Sequence, residues 1–217
     1  EKISTISSLT YNPELSLKHN LCSANSINIG RLLPQTTYYA WSSIKYQQTT
    51  GLPSSFIIPT GNLGNAFACF IAKEMGFPID RIIFATNANK TIPDFLATKE
   101  WSPRPTLPTL ASAMDVGNPS NFVRILKLFD NEFNSLSQQL SSFSYSDEET
   151  RKAIKEVKQK YDYVMDPHGA VGYLGLQDFL AENPEYYGTF LETAHPVKFL
   201  ETVEEVIGEK VEIPASI

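Results

Sequence analysis

Cysteine is scarce in this chain, with two thiols, Cys22 and Cys69, in 217 residues. Two cysteines could pair, but they make no disulfide framework, and a chain of this length does not need one. Cys69 lies in the apolar run Ala66-Phe-Ala-Cys-Phe-Ile-Ala72 and reads as a buried core thiol. Histidine is rare as well, at three residues, and no Cys/His spacing suits a metal site. An excess of positive charge is missing: the formal net charge is −6, which argues against nucleic acid or an anionic membrane as the main partner. A local basic pocket for a phosphorylated small molecule stays compatible with that charge, because pockets do not follow the net value. No apolar run reaches transmembrane length and no signal peptide is recognisable, so the expectation is a cytoplasmic protein without a membrane partner. Internal repeats and low-complexity tracts are also absent.

What is there is ordinary for a globular protein: 42% hydrophobic and 19% charged residues, and enough chain for one large α/β domain or a domain with an insertion. The first twenty residues read as irregular. From Ser26 to Gln48 apolar residues fall three, four and seven apart, as on one face of a helix, with Pro34 marking a start or a kink. Ser55-Phe-Ile-Ile58 reads as a short strand, and Gly61-Asn-Leu-Gly-Asn65 follows. A strong helix former then runs to Met75, with Gly76 as its stop, and Arg81 to Thr86 is a second strand. Strand, glycine loop, helix and strand in this order are how a parallel sheet is wound.

The interval from about Ala97 to Lys160 reads differently. Pro103, Pro105, Pro108 and Pro119 punctuate its first part, and Phe122–Phe129 and Asp147–Lys160 have helical spacing. Ser146 with Glu149 three residues on looks like a capping box. Strand text returns at Tyr161–Met165 and at Gly188–Ala194, with helices over Gly169–Ala181 and Val197–Ile207. The expected organisation is therefore one sheet-bearing domain formed by 1–96 and 161–217, interrupted by a mostly helical insertion at 97–160.

Two local patterns carry chemistry. A helix start offers unpaired amides and a positive dipole end, so the glycine loop ahead of Ala66 can bind a phosphate. There Gly61 and Gly64 permit close approach, and Asn62 and Asn65 offer further donors or a cap. The same residues also suit a plain tight turn. The spacing fits neither the Walker pattern nor a complete dinucleotide fingerprint. The second pattern is Asn25-Ser-Ile-Asn-Ile-Gly-Arg31, where amides, a hydroxyl and a guanidinium meet ahead of a helix and could cradle an anion. Taken alone it favours the plainer reading, an N-cap made by Ser26 or Asn28 with Arg31 on the surface. His168 and His195 both sit where a strand is expected to give way to a helix, on the side where open α/β sheets take ligands. Each adjoins a proline and is equally well explained as a fixed hydrogen-bonding residue.

Longer stretches decide between such readings. Ser23-Ala-Asn-Ser-Ile-Asn-Ile-Gly-Arg-Leu-Leu33 followed by Gln35 and Tyr38-Tyr39 resembles the corresponding segment of threonine synthases of the bacterial and fungal type. So do Pro59-Thr-Gly-Asn-Leu-Gly-Asn65, Ala85-Thr-Asn-Ala-Asn89, Thr91-Ile-Pro-Asp-Phe95, Trp101-Ser-Pro103 and Ser112-Ala-Met-Asp-Val116. Asp166-Pro-His168 and Thr193-Ala-His-Pro-Val-Lys-Phe199 continue the series in the same order.

This resemblance implies a three-layer, mostly parallel α/β architecture, a partial tryptophan-synthase-like fold that binds pyridoxal 5'-phosphate. It also implies conversion of O-phosphohomoserine and water to threonine and phosphate. By the same resemblance Gly61, Asn62, Leu63, Gly64 and Asn65 hold the cofactor phosphate, and Asn25, Ser26 and Arg31 hold the substrate phosphate. Thr193 faces the pyridine nitrogen, a neutral partner that moderates the electron sink. One departure stands out: the family's cofactor-bearing lysine lies in an upstream Phe-Lys-Asp-type segment, and no such motif occurs here. Lys2 and Lys18 match nothing, and Lys73, Lys155 and Lys158 read as solvated. Lys198 is the one lysine near an expected site residue. The chain therefore looks like the second part of such an enzyme, with no catalytic residue of its own, inactive alone and partnered by the missing N-terminal part. The rival readings are another enzyme of the same cofactor fold, a dehydratase or a cysteine-synthase-like protein, and a non-catalytic module that binds a phosphorylated ligand.

Overall fold

The computed structural model describes residues 12–20, 25–26 and 28–215. Lys2 and Cys22 lie outside those residues. Strands β1 (Ser54–Pro59), β2 (Ile79–Thr86), β3 (Leu140–Ser144) and β4 (Gly188–Phe190) form one sheet in the order β3-β2-β1-β4, with every neighbouring pair parallel. β1 sits centrally and is buried at all six positions, which is why it reads as an unbroken apolar run rather than an alternation.

Two layers of helix cover the sheet. Phe56, Ile58, Ile82 and Phe84 face one way and pack with Ala66, Phe67 and Phe70 of α4 (Gly64–Glu74) and with Tyr39 of α3 (Thr36–Thr50). Ile57, Ile83 and Ala85 face the other way, onto Val171 and Phe179 of α9 (Pro167–Glu182). The strand period of two thus divides one sequence run between two cores, giving the expected three-layer α/β architecture. The α9 layer sits very close: a Cβ added at Gly175 would lie 3.0 Å from both Ala85 Cβ and Ile57 Cγ2. Cys69 is buried in the α4 layer, and that burial pushes its thiol well above its usual range.

The remaining helices are α1 (Pro13–His19), α2 (Ile29–Leu32), α5 (Thr91–Thr98), α6 (Phe122–Leu128), α7 (Phe133–Gln139), α8 (Asp147–Tyr161) and α10 (Leu200–Ile207). Pro34 does break the segment around it, standing in the tight turn Leu33–Gln35 between α2 and α3. Gly76 ends the α4 region at φ 89°, and the capping box of Ser146 and Glu149 opens α8 with both reciprocal bonds. Other expectations differ. Pro13–His19 is helical because Asn12 accepts from the amides of Glu14 and Leu15 and Pro13 starts the first turn.

No strand forms at 161–165. Asp162 caps α8 at φ 52°, and Met165 is buried in the cluster of Ile154, Val157 and Ala170, between α8 and α9. The strand arises instead at Leu140–Ser144, inside the interval read as mostly helical. It is a sheet edge with Leu140 its only buried residue, so its serines show no apolar signal. β4 is likewise shorter than expected and ends at Phe190. Among the described residues no helix is long and apolar enough to cross a membrane.

Replacing Gly175 by Val forces two methyl groups into the α9–sheet contact. Overpacking of this kind is expected to cost about 1–3 kcal/mol, read as a lowered urea midpoint. An unchanged midpoint would show that α9 does not press on β1 and β2 there.

Candidate cofactor and anion site

β1 carries the chain to the carboxyl edge of the sheet, where an open α/β fold offers room for a ligand. The turn into α4 is tight. Leu63 takes a left-handed conformation, φ 63° and ψ 16°, and the first amides of α4 have no intrahelical acceptor. Gly61 presses its bare Cα on the Met114 backbone, where an added Cβ would lie 2.6 Å from the Met114 carbonyl oxygen. A Cβ at Gly64 would lie 3.0 Å from Leu32 Cδ2 and 3.2 Å from Ser26 Cβ. The loop therefore presents backbone to the cavity and leaves no room behind it.

Both loop asparagines are engaged in building the loop. Asn65 Oδ1 accepts from Thr60 Oγ1 at 2.7 Å and from the Ala66 amide at 2.9 Å, and its Nδ2 donates to the Pro59 carbonyl at 3.0 Å. Asn62 Nδ2 donates to Ser26 Oγ at 3.0 Å, while its Oδ1 accepts from the Ser120 amide at 2.7 Å. Asn121 Nδ2 reaches the Asn62 carbonyl at 2.9 Å and Ser26 Oγ at 3.2 Å, and Arg124 donates to the Ser26 carbonyl at 3.0 Å. Three stretches far apart in sequence, around 26, 62 and 121, are tied together by amides. Asn121 and Arg124 gave no sequence signal, because one stands just ahead of α6 and the other inside it, with no local motif around either.

The loop faces a cavity of about 440 Å³, which Gly61, Asn62, Leu63, Gly64 and Asn65 line together with Ser26, Arg31, Thr193 and Lys198. Asn25 does not line it and stands one step back, accepting from Ser26 Oγ at 3.1 Å. Asn28 caps α2 through the Gly30 amide at 2.9 Å, as the plainer reading of that segment had it, yet Arg31 still reaches the cavity wall. Thr193 lies three residues past the end of β4 rather than finishing it, and it lines the cavity from the connection that follows.

The histidines separate. His195 caps the turn Pro196–Phe199, its Nδ1 accepting from the Val197 amide at 3.2 Å. His168 is buried on the cavity wall. Its Nε2 accepts from the Ala113 amide at 3.2 Å, so the ring proton belongs on Nδ1, 2.7 Å from Asp166 Oδ1. Burial works to raise the Asp166 carboxyl, but its hydrogen bonds to His168 outweigh that and hold it below its usual range.

Residues 22–187 match the family described as "Pyridoxal-phosphate dependent enzyme". The chain belongs to this family. It is 43% identical to the threonine synthase of Escherichia coli strain K12 over 201 residues, covering 93% of this chain and 46% of that protein. The crystal structure of the Escherichia coli threonine synthase superposes with a TM-score of 0.85 at 39% identity, over 98% of this chain and 49% of that one. The threonine synthase of Brucella melitensis, solved with pyridoxal phosphate bound, gives 0.86 at 28% identity, over 98% and 50%. The chain spans about half the length of the curated relatives it matches.

The site has what a phosphate-bearing cofactor of this family needs: a glycine loop backed by protein with no room for a Cβ, and a helix start facing the cavity. Gly61→Ala must displace the Met114 backbone, and it is expected to weaken pyridoxal phosphate binding by about tenfold or more. A fluorescence titration with the cofactor measures this, with circular dichroism as the check on folding. Unaltered affinity in a folded variant would remove the loop from the site.

Proposed function

We propose that this chain is one part of a threonine synthase, acting with the polypeptide that makes up the rest of such an enzyme. In this reading pyridoxal phosphate and O-phosphohomoserine meet at the 440 Å³ cavity, and threonine and inorganic phosphate leave it. The observation that carries the reading is the presence of two anion-binding arrangements on one cavity wall. One is the glycine loop at the start of α4, and the other is Ser26 with Arg31 beside α2. A substrate and a cofactor that each bear a phosphate call for two such places side by side. The identity to threonine synthases supports the choice of substrate.

Bound pyridoxal phosphate supplies an electron sink for chemistry at the substrate carbons. The chain's own residues bind and orient. Backbone amides from Gly61 to Asn65 hold the cofactor phosphate, and the side chains of Asn62 and Asn65 brace the loop that aims those amides. Arg31 and Ser26 hold the substrate phosphate, with Asn25 fixing the Ser26 hydroxyl. Thr193, on the same wall, would offer the cofactor ring nitrogen a neutral hydroxyl rather than a charged partner.

No lysine of this chain is assigned to carry the cofactor. Lys73 is half-buried at the end of α4, not solvated as its sequence suggested, and its ammonium donates to the Asp80 carbonyl. That burial lowers its pKa, but Lys73 does not line the cavity. Lys155 is exposed, and Lys158 is paired with Asp162 and Glu209. Lys198 lines the cavity and is the residue to watch.

Arg31→Ala is expected to weaken O-phosphohomoserine binding by about 1.5–3 kcal/mol, the worth of a charge-assisted hydrogen bond. Pyridoxal phosphate affinity should barely change, and calorimetry with each ligand reads both. Release of the cofactor with normal substrate binding would mean that the two phosphate places are exchanged. The chain alone is also expected to release no phosphate from O-phosphohomoserine and to take no stoichiometric label when treated with pyridoxal phosphate and borohydride. One label mapped to Lys198 together with threonine formation would show that this chain carries its own cofactor lysine.

A further inference from the structure

A second carboxyl group, next to Asp166, has no part in the binding scheme above. Glu192 lies between β4 and Thr193, and its carboxyl is within hydrogen-bonding reach of Asp166. Gly169 makes that approach possible, because a Cβ there would occupy the space of the Glu192 carboxyl. On Asp166, Oδ1 is engaged by the His168 amide at 2.8 Å and by His168 Nδ1 at 2.7 Å, whereas Oδ2 meets only the Gly169 amide, at 3.4 Å. Oδ2 therefore keeps an open lone pair, on the side of the Gly169 amide against which the Glu192 carboxyl packs. Two carboxyl groups this close share a proton more readily than they both ionise.

We propose that Glu192 is a positioning residue for the anion cavity: its protonated carboxyl donates to Asp166 and steadies the Asp166–His168 pair that anchors Ala113 behind the glycine loop. The inference rests on reading this cavity as a phosphate site. The chain of contacts is short. Asp166 fixes His168, His168 Nε2 holds the Ala113 amide, and Met114, the next residue, is the wall on which Gly61 rests.

The titratable groups facing Glu192 are Asp166 at the start of α9, with His168 behind it on the far carboxylate oxygen, Tyr163 in the connection before it, and Tyr38 of α3 across an adjoining cleft of about 520 Å³. None of these is a permanent cation. Partial desolvation, with the Asp166 charge beside it, pushes Glu192 up to about 8. Its flank remains exposed, so water moderates the repulsion and gives the ionised side chain a way out into the cleft. The sign follows from linkage. Glu192 binds its proton more tightly in the folded chain, so its contribution is present at low pH and is lost as pH rises through its folded value. Loss of that proton removes the donor and adds a negative charge next to Thr193, and both effects oppose phosphate binding.

The test uses the whole chain, its Glu192→Gln variant, which keeps a donor at every pH, and its Glu192→Ala variant, which has none. Without ligand, the Ala113 amide and the His168 ring nitrogens are followed by NMR from pH 6 to 9. In the parent chain they should shift together with the Glu192 carboxyl carbon, with a midpoint near 8. In Glu192→Gln they should stay at the parent's low-pH position, and in Glu192→Ala at its high-pH position. Gly169→Ala, which displaces the carboxyl without removing it, should behave like Glu192→Ala. An Ala113 shift that persists in Glu192→Gln, or a carboxyl that titrates in the ordinary carboxylate range, overturns the proposal. Binding of inorganic phosphate is then compared between Glu192→Gln and the parent, which cancels phosphate's own titration. The ratio of affinities should be near one at pH 6 and favour the variant by about three- to tenfold at pH 9. If neither chain binds phosphate at any pH, the cavity reading fails while the NMR arm still decides the role of Glu192.

Discussion

The contact between Gly61 and the Met114 backbone is the constraint on which the site depends. The chain must leave β1 and start α4 within a few residues, and the inner side of that turn is closed by another backbone segment. Only a residue without a side chain fits there. The Met114 segment must in turn be held still, or the loop would have nothing to rest on. A buried polar network does this from one side: Asn87 Nδ2 donates to Thr109 Oγ1 and to Asp115 Oδ1, both at 2.8 Å, and the Thr109 amide donates to Asp115 Oδ2 at 3.0 Å. His168 does it from the other side through Ala113. Because every member of the network is satisfied, it fixes a proline-rich stretch whose regular structure is one short 3-10 turn, Ser112–Met114.

That arrangement also explains how a chain with net charge −6 would offer the proposed anion site. Positive potential here comes from oriented amides at the start of α4 together with Arg31 and Lys198 on the same wall. Side-chain amides that look like spare donors in the sequence are committed to scaffolding, since Asn62 and Asn65 each have both ends bonded within the protein. In the proposed reading the binding surface is backbone, and the asparagines set its shape.

The strand–glycine loop–helix unit was legible because its signals are local. An apolar run, two glycines and a following helix former each act within a few residues, and Gly76 and the Ser146–Glu149 box mark helix ends in the same way. β3 was not legible. Its serines gain strand geometry by pairing with β2, and only Leu140 of its five residues is buried. The run Tyr161–Met165 failed in the opposite sense. Its apolar content is real, but it is used between two helices, and periodicity in five residues cannot tell those uses apart.

By itself the sequence determined the order of the central elements, the glycine loop and, through its resemblance, the family. It could do so because turn chemistry and helix capping act between near neighbours. The tertiary structure decided which residues share a wall: that Arg31 reaches the cavity although its neighbour Asn28 is a plain helix cap, and that Asn25 stands behind it. It also decided that Glu192 lies against Asp166, 26 positions apart in the chain. Contacts of that kind depend on how α9 and β4 pack on the sheet, and the residues that make them carry no local pattern that could announce it.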